Sequence, residues 1–195
     1  MLDVIIRSGK IVDGSGQKAY RADVGIENGR IAEISAELAA DAHEIVNGDG
    51  CVVSPGFIDM HSHSDFTLLL HSEAESKIRQ GVTTELVGNC GGSPAPVPDE
   101  RFDDFMQYML GLGGLYQKVL APEDWKWQTL AQFYEELENK GIAVNLVPLV
   151  GHSTLRCAVM GYENGPPSPD ELKQLKYLLE KELDLGAFGL SSGLI

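Results

Sequence analysis

The chain is poor in cysteine, poor in basic residues and free of long apolar runs. Its 3 cysteines among 195 residues, Cys51, Cys90 and Cys157, are odd in number and far apart. That pattern argues against a disulfide framework and for a reducing, cytoplasmic setting. Lys and Arg number 15 against 29 Asp and Glu, giving a net charge of -14. No basic cluster is present, so a nucleic-acid partner is not expected, and the acidity reads as a solubilising surface. No apolar stretch approaches the roughly 20 residues of a membrane span. Met1-Leu2-Asp3 enters a strand-like segment directly, without the basic and apolar regions of a secretory signal. What remains is an ordinary globular composition, 43% apolar, long enough for one large domain or for a small one with part of another.

Residues 1–54 read as small β-structure. Val4-Ile5-Ile6 begins a strand, and Val24–Glu27 and Arg30–Ile34 flank Asn28-Gly29, a dipeptide suited to the positive φ angles of a two-residue hairpin turn. Short strands follow at 43–46 and 51–53, and Pro55-Gly56 is a plausible boundary. From residue 55 onward, strands alternate with helices: strands at 57–60, 83–87, 144–150 and 187–190, with helices between them. Ser72 and Glu75 suggest a capping box for a helix to about Arg79, and Asp99 suggests a cap for one carrying Phe102, Phe105, Met106 and Met109. A helix spans about 129–140. Ser168, Pro169 and Glu171 mark the start of another, whose expected buried stripe is Leu172, Leu175, Leu179 and Leu183. Pro148 predicts a bulge or a strand end. Such alternation predicts parallel β/α architecture, whose sites lie at the carboxyl ends of the strands.

Polar residues gather at those ends. His61 and His63 follow the first strand at spacing i, i+2, which places both side chains on one face. Imidazole suits zinc and neighbouring transition metals. Cys90 sits in the turn Gly88-Asn89-Cys90-Gly91-Gly92 after the second strand. It is either an inert thiol or a thiolate ligand beside the two histidines. Asp65 either orients a ligand from behind or caps the next segment. His152, Ser191 and Ser192 also lie beyond strand ends and are candidate lining residues. His43 and His71 read as surface histidines, Arg156 as a structural or surface side chain more than a substrate clamp, and Trp125-x-Trp127 as loop packing.

The segments Ser54–Asp65, Gly81–Gly91, Asn145–Arg156 and Gly186–Leu194 together resemble the D-aminoacylase (N-acyl-D-amino-acid deacylase) branch of the amidohydrolase superfamily. His-x-His marks the superfamily; Cys90 in its Gly-Asn-Cys-Gly setting selects the branch. The resemblance implies a TIM-type (β/α) barrel, of which residues 55–195 would be the first half, with residues 1–54 part of a small β-sandwich. It implies zinc held by His61, His63 and Cys90, the cysteine standing where many relatives use a carboxylated lysine. In the family the tighter metal position joins the cysteine to two later histidines, and the His-x-His pair shares a weaker position with a late aspartate. Those later histidines and the general-base aspartate have no counterpart among residues 1–195, and the aspartate is expected beyond Ile195. The substrate implied is a small N-acyl-D-amino acid, with no nucleic-acid or membrane partner. A half-barrel would leave strand edges free for self-association. The alternatives are another cyclic-amide hydrolase, dihydroorotase- or hydantoinase-like, or a catalytically inactive half-barrel remnant.

Overall fold

In a computed structural model of the chain, the described residues are 1–111, 125–161 and 163–193. The chain divides into two compact units, Met1–Gly56 and Phe57–Ile195.

The first unit is a five-stranded sheet: β1 (Leu2–Ile11), β2 (Tyr20–Glu27), β3 (Arg30–Ser35), β4 (Ala42–Asn47) and β5 (Val52–Val53). Its order is β3-β2-β1-β4, with β5 also on β1. The β1–β2 and β2–β3 pairs are antiparallel, whereas β4 and β5 run parallel to β1. Asn28 and Gly29 turn the β2–β3 hairpin with φ of 52° and 70°, as the dipeptide predicts. Ile11, Ala22 and Val24 form a small core. The β1–β2 register shifts between Ile6 and Gly9, where Ser8 has φ 61°. Asp23 stabilises this bulge. Its carboxylate accepts the Ser8 amide at 2.7 Å, the Leu38 amide at 3.0 Å and Arg7 Nη1 at 2.6 Å.

The second unit is a four-stranded parallel sheet in the order β6 (Phe57–Asp59), β7 (Val82–Val87), β8 (Asn145–Gly151), β9 (Gly189–Ser191). The helices are α1 (Glu75–Ile78), α2 (Phe102–Gly111), α3 (Leu130–Lys140), α4 (His152–Met160) and α5 (Pro169–Asp184). Their core includes Phe66, Phe105, Trp127, Phe133, Leu137 and Leu155. Complete capping boxes start α3, from Thr129 and Gln132, and α5, from Ser168 and Glu171. Among the described residues, no helix is long and apolar enough to cross a membrane.

Several local expectations change. Ser72 does not cap α1: the helix is one turn long, and its N-cap is Ala74 at φ 43°. Asp99 does not cap α2 either. It begins a 3-10 turn after Pro98, and its carboxylate accepts from Gln128 Nε2 at 2.5 Å. Pro148 neither ends nor bulges β8. Its carbonyl accepts the Phe188 amide at 2.8 Å, so its ring nitrogen faces β9, whose pairing begins only at Leu149–Gly189; no ladder bond is lost there. On α5 the inward stripe is displaced. Leu172 and Leu183 are exposed, while Leu175, Leu178 and Leu179 pack on the core and Glu182 is buried. Glu182 Oε2 accepts the Leu130 amide at 2.8 Å, so the buried face of α5 carries an acid that caps α3. Helix α4 was not expected from the sequence at all.

Asp23 also sets an acid sensitivity for the first unit. The Ser8 amide foremost, then the Leu38 amide and Arg7, hold its carboxyl at about 2 against an ordinary 3.8. An acid depressed in the folded state stabilises it above the unfolded value, and that stability is lost as pH falls through the folded value. The Tm of the sheet unit is expected to fall between about pH 4 and pH 2. Asp23→Ala should flatten this fall and destabilise the unit by on the order of 3 kcal/mol near neutral pH. Circular dichroism melts across that range check both, and an unchanged acid slope in Asp23→Ala would refute the assignment.

Candidate metal centre

Beyond β6 the chain bends at Met60 and His61, and Ser62 and Ser64 then both reach the Glu85 carboxylate. The ligand atoms of His61, His63 and Cys90 lie within 4.8 Å of one another. Cys90 Sγ is 3.3 Å from His61 Nε2, and the two imidazole rings meet edge-on with centroids 5.3 Å apart. Zinc distances to nitrogen and sulfur in tetrahedral geometry place such atoms about 3.5 Å apart. The donor set and spacing therefore fit a metal ion. Both histidines are exposed and Cys90 is partly so, which leaves the group open to solvent. Burial, and then the neighbouring His61, lower the His63 pKa and favour the neutral imidazole that a metal requires.

Glycines bring Cys90 into place. Cys90 itself has φ 55°, between Gly88 at 77° and Gly91 at 80°. A non-glycine residue held there is strained by about 1–3 kcal/mol and persists only where its surroundings fix it. A Cβ on Gly88 would lie 2.1 Å from the Leu149 carbonyl oxygen, one on Gly151 2.4 Å from that of Gly91, and one on Gly193 2.4 Å from that of Cys90. The loop is thus packed backbone to backbone against the ends of β8 and β9. Gly91 accepts the Ser153 and Thr154 amides of α4 at 2.9 and 3.2 Å. Asn89 Nδ2 donates to the carbonyls of Ser62 at 3.1 Å and Leu86 at 2.7 Å, tying the Cys90 loop to the histidine segment.

The remaining sequence candidates take various positions. Asp65 is buried, accepting the Gly88 amide at 3.2 Å and the Phe66 amide at 3.3 Å. It braces the start of the Cys90 loop, and burial pushes its carboxyl up to about 7 against those amides. Ser191 receives the Gly91 amide at 3.1 Å and donates to the Gly88 carbonyl, fastening the loop to β9. His152 is the exposed first residue of α4, and Ser192 is exposed. His43 and His71 are exposed as well. Arg156 serves structure, donating to the Glu163 and Gly165 carbonyls at 3.4 and 3.0 Å.

The residues behind the histidines escaped the sequence reading. Glu85, on β7, is fully buried. Its Oε1 accepts from Ser62 Oγ and Lys77 Nζ, each at 2.8 Å, and its Oε2 accepts from Ser64 Oγ at 2.8 Å. Lys77 also reaches Asp59 Oδ2 at 2.5 Å, and Asp59 Oδ1 accepts the His61 amide at 3.1 Å. Burial alone would lower the Lys77 ammonium; its hydrogen bonds to the two acids outweigh that and hold it above its ordinary value. A carboxylate within a β-branched strand, and a Ser-x-Ser interleaved with the His-x-His, were the available signals.

The family model for the amidohydrolase family matches residues 44–182. The chain is 37% identical over 195 residues to a D-aminoacylase of Alcaligenes xylosoxydans xylosoxydans, covering 98% of the chain and 37% of that protein. It is 35% identical over 191 residues to an N-acyl-D-aspartate deacylase of the same organism, covering 98% of the chain and 36% of the relative. Among solved structures, an N-acyl-D-glutamate deacylase from Bordetella bronchiseptica, complexed with zinc and a phosphonate mimic of the tetrahedral intermediate, matches at TM-score 0.83 and 33% identity, over 99% of the chain and 38% of that structure. A D-aminoacylase crystal structure matches at TM-score 0.82 and 34% identity, over 99% of the chain and 39% of that structure. The chain thus spans well under half the length of these relatives.

Proposed function

This chain belongs to the amidohydrolase family, and we propose that it forms the N-terminal part of a zinc-dependent N-acyl-D-amino-acid deacylase. The observation that carries the reading is the convergence of His61, His63 and Cys90 on one point at adjacent strand ends. The similarity to D-aminoacylase and to N-acyl-D-aspartate deacylase over nearly the whole chain supports the substrate class. We place residues 1–54 in a β-sandwich and 55–195 in the first half of a (β/α) barrel, a reading supported by the four-stranded parallel sheet. Cytoplasmic location is supported by the three unpaired thiols.

His61, His63 and Cys90 would hold the metal, the cysteine as thiolate and the histidines neutral. Zinc bound there would supply polarisation of the acyl carbonyl and a water acidic enough to ionise near neutral pH. The chain's own contribution is to hold those donors in register, through the strained Cys90 loop and its ties to Ser191 and Asn89. The general base implied by the family resemblance is an aspartate outside residues 1–195.

Three measurements test this reading. In the intact protein, Cys90→Ala should remove tightly bound zinc and with it the activity, because a thiolate contributes strongly to affinity. Full zinc content by elemental analysis in that variant would exclude Cys90 as a ligand. The intact protein should hydrolyse N-acetyl-D-methionine faster than N-acetyl-L-methionine; the reverse order would remove the branch and keep the superfamily. The isolated 195-residue chain should self-associate. Phe57, Ile58 and Met60 lie on or just beyond β6, and Phe188 and Leu190 flank or lie on β9. All are exposed, Phe188 at 74%, and both strands are edges of the sheet. A monodisperse monomer in analytical ultracentrifugation would refute that expectation.

A further inference from the structure

We propose that Glu85 is the positioning residue of the candidate metal centre: it sets the directions of His61 and His63 by gripping the serines that alternate with them. This rests on the metal reading above. The argument is geometric. After the bend at Met60 and His61, holding Ser62 and Ser64 fixes the backbone directly after His61 and on both sides of His63. Ser62 and Ser64 each donate to a different oxygen of the same carboxylate, so one rigid, planar group sets both. Two further bonds pin the same segment: the Ser62 amide to the Leu86 carbonyl at 3.0 Å, and the His61 amide to Asp59. Asp59 lies directly opposite Glu85 across the β6–β7 pair. Two carboxylates in that relation repel, and Lys77, bonded to both, makes the arrangement tenable. Among the described residues, the histidine rings meet each other, and His61 meets Cys90. Their placement is therefore imposed from behind, through the backbone, by a group that touches neither the rings nor the metal position.

The test uses the intact protein and cobalt as the probe, because a cobalt–thiolate bond absorbs in the near ultraviolet and reports Cys90 directly. The His61→Ala/His63→Ala variant first identifies the step of the cobalt titration that depends on the histidines. Ser62→Ala/Ser64→Ala, which leaves the Lys77–Glu85 ion pair in place, is expected to weaken that step about 10- to 100-fold, the range typical of groups that orient metal ligands. Ser64→Ala should weaken it less, and Ser64→Thr, which retains the hydroxyl, should restore it. Glu85→Gln should resemble the double serine variant. Should Glu85→Gln fail to fold, the serine variants decide alone. Circular dichroism of the metal-free proteins gives the folded fraction. Cobalt affinity that is unchanged in the serine variants, or that falls only in proportion to the folded fraction, would overturn the proposal. If the unsubstituted protein shows no histidine-dependent step, the metal reading itself has failed, an outcome separate from failure of the positioning role.

Discussion

A buried carboxylate governs the arrangement of the second unit. Glu85 has no access to water, and an ionised group in that position is tolerable only when charge and hydrogen bonds replace the lost hydration. The replacements come from two separate stretches of chain, Lys77 at the end of the short helix α1 and the serines beyond β6. Satisfying Glu85 therefore also folds the segment that carries the histidines. This explains why a one-turn helix, too short to be stable by itself, has a defined place: its lysine is drawn in by Asp59 and Glu85. It also explains how a histidine pair exposed to solvent can be held in one arrangement.

The Cys90 loop follows a different logic, that of close backbone approach. Gly88, Gly151 and Gly193 each stand where a side-chain carbon would overlap a neighbouring carbonyl, so three chain segments meet at distances closed to any other residue. The strain at Cys90 is held by this contact, by the α4 amides on Gly91 and by Ser191. One donor is thus fixed by backbone crowding and the other two by a charged anchor. Asn89, bonded to the carbonyls of both Ser62 and Leu86, ties the two systems together, as does Asp65, which accepts the Gly88 amide.

Features governed by neighbouring residues were legible in the sequence. Asn28-Gly29 and the Ser168–Glu171 box act over a few residues, and both stand as read. Features decided by distant partners were not. Ser72 and Glu75 have capping spacing, but Ser72 is engaged elsewhere, its carbonyl accepting the Ala143 amide at 2.9 Å, and the chain turns through Ala74 instead. Asp99 is likewise engaged by Gln128. Helix α4 begins directly at the end of β8 without a side-chain cap; its first amides are satisfied by Gly91, more than sixty residues earlier, so no local residue announces it. The His-x-His was visible because its period is its meaning. The Ser-x-Ser shares that period but needs Glu85 behind it, and that pairing is visible only once β6 and β7 are side by side.

The register of β6 on β7 is then the step on which the centre turns. With Asp59 opposite Glu85, Lys77 can bridge both acids, the serines reach Glu85, and the histidines come level with the loop that ends β7. The pairing already shifts by one residue between Phe57 and Ile58, and a further slip would part Asp59 from Glu85. The apolar residues of β6 resist such a slip only weakly, because Phe57 and Ile58 are both exposed among the described residues. Hydrophobic burial, the usual guardian of strand register, is therefore weak at this edge. The charge arrangement of Asp59, Lys77 and Glu85 takes over that task, since it is satisfied in one register and broken in its neighbours. The polar groups behind the histidines thus select the pairing that creates the centre as well as supporting it once formed.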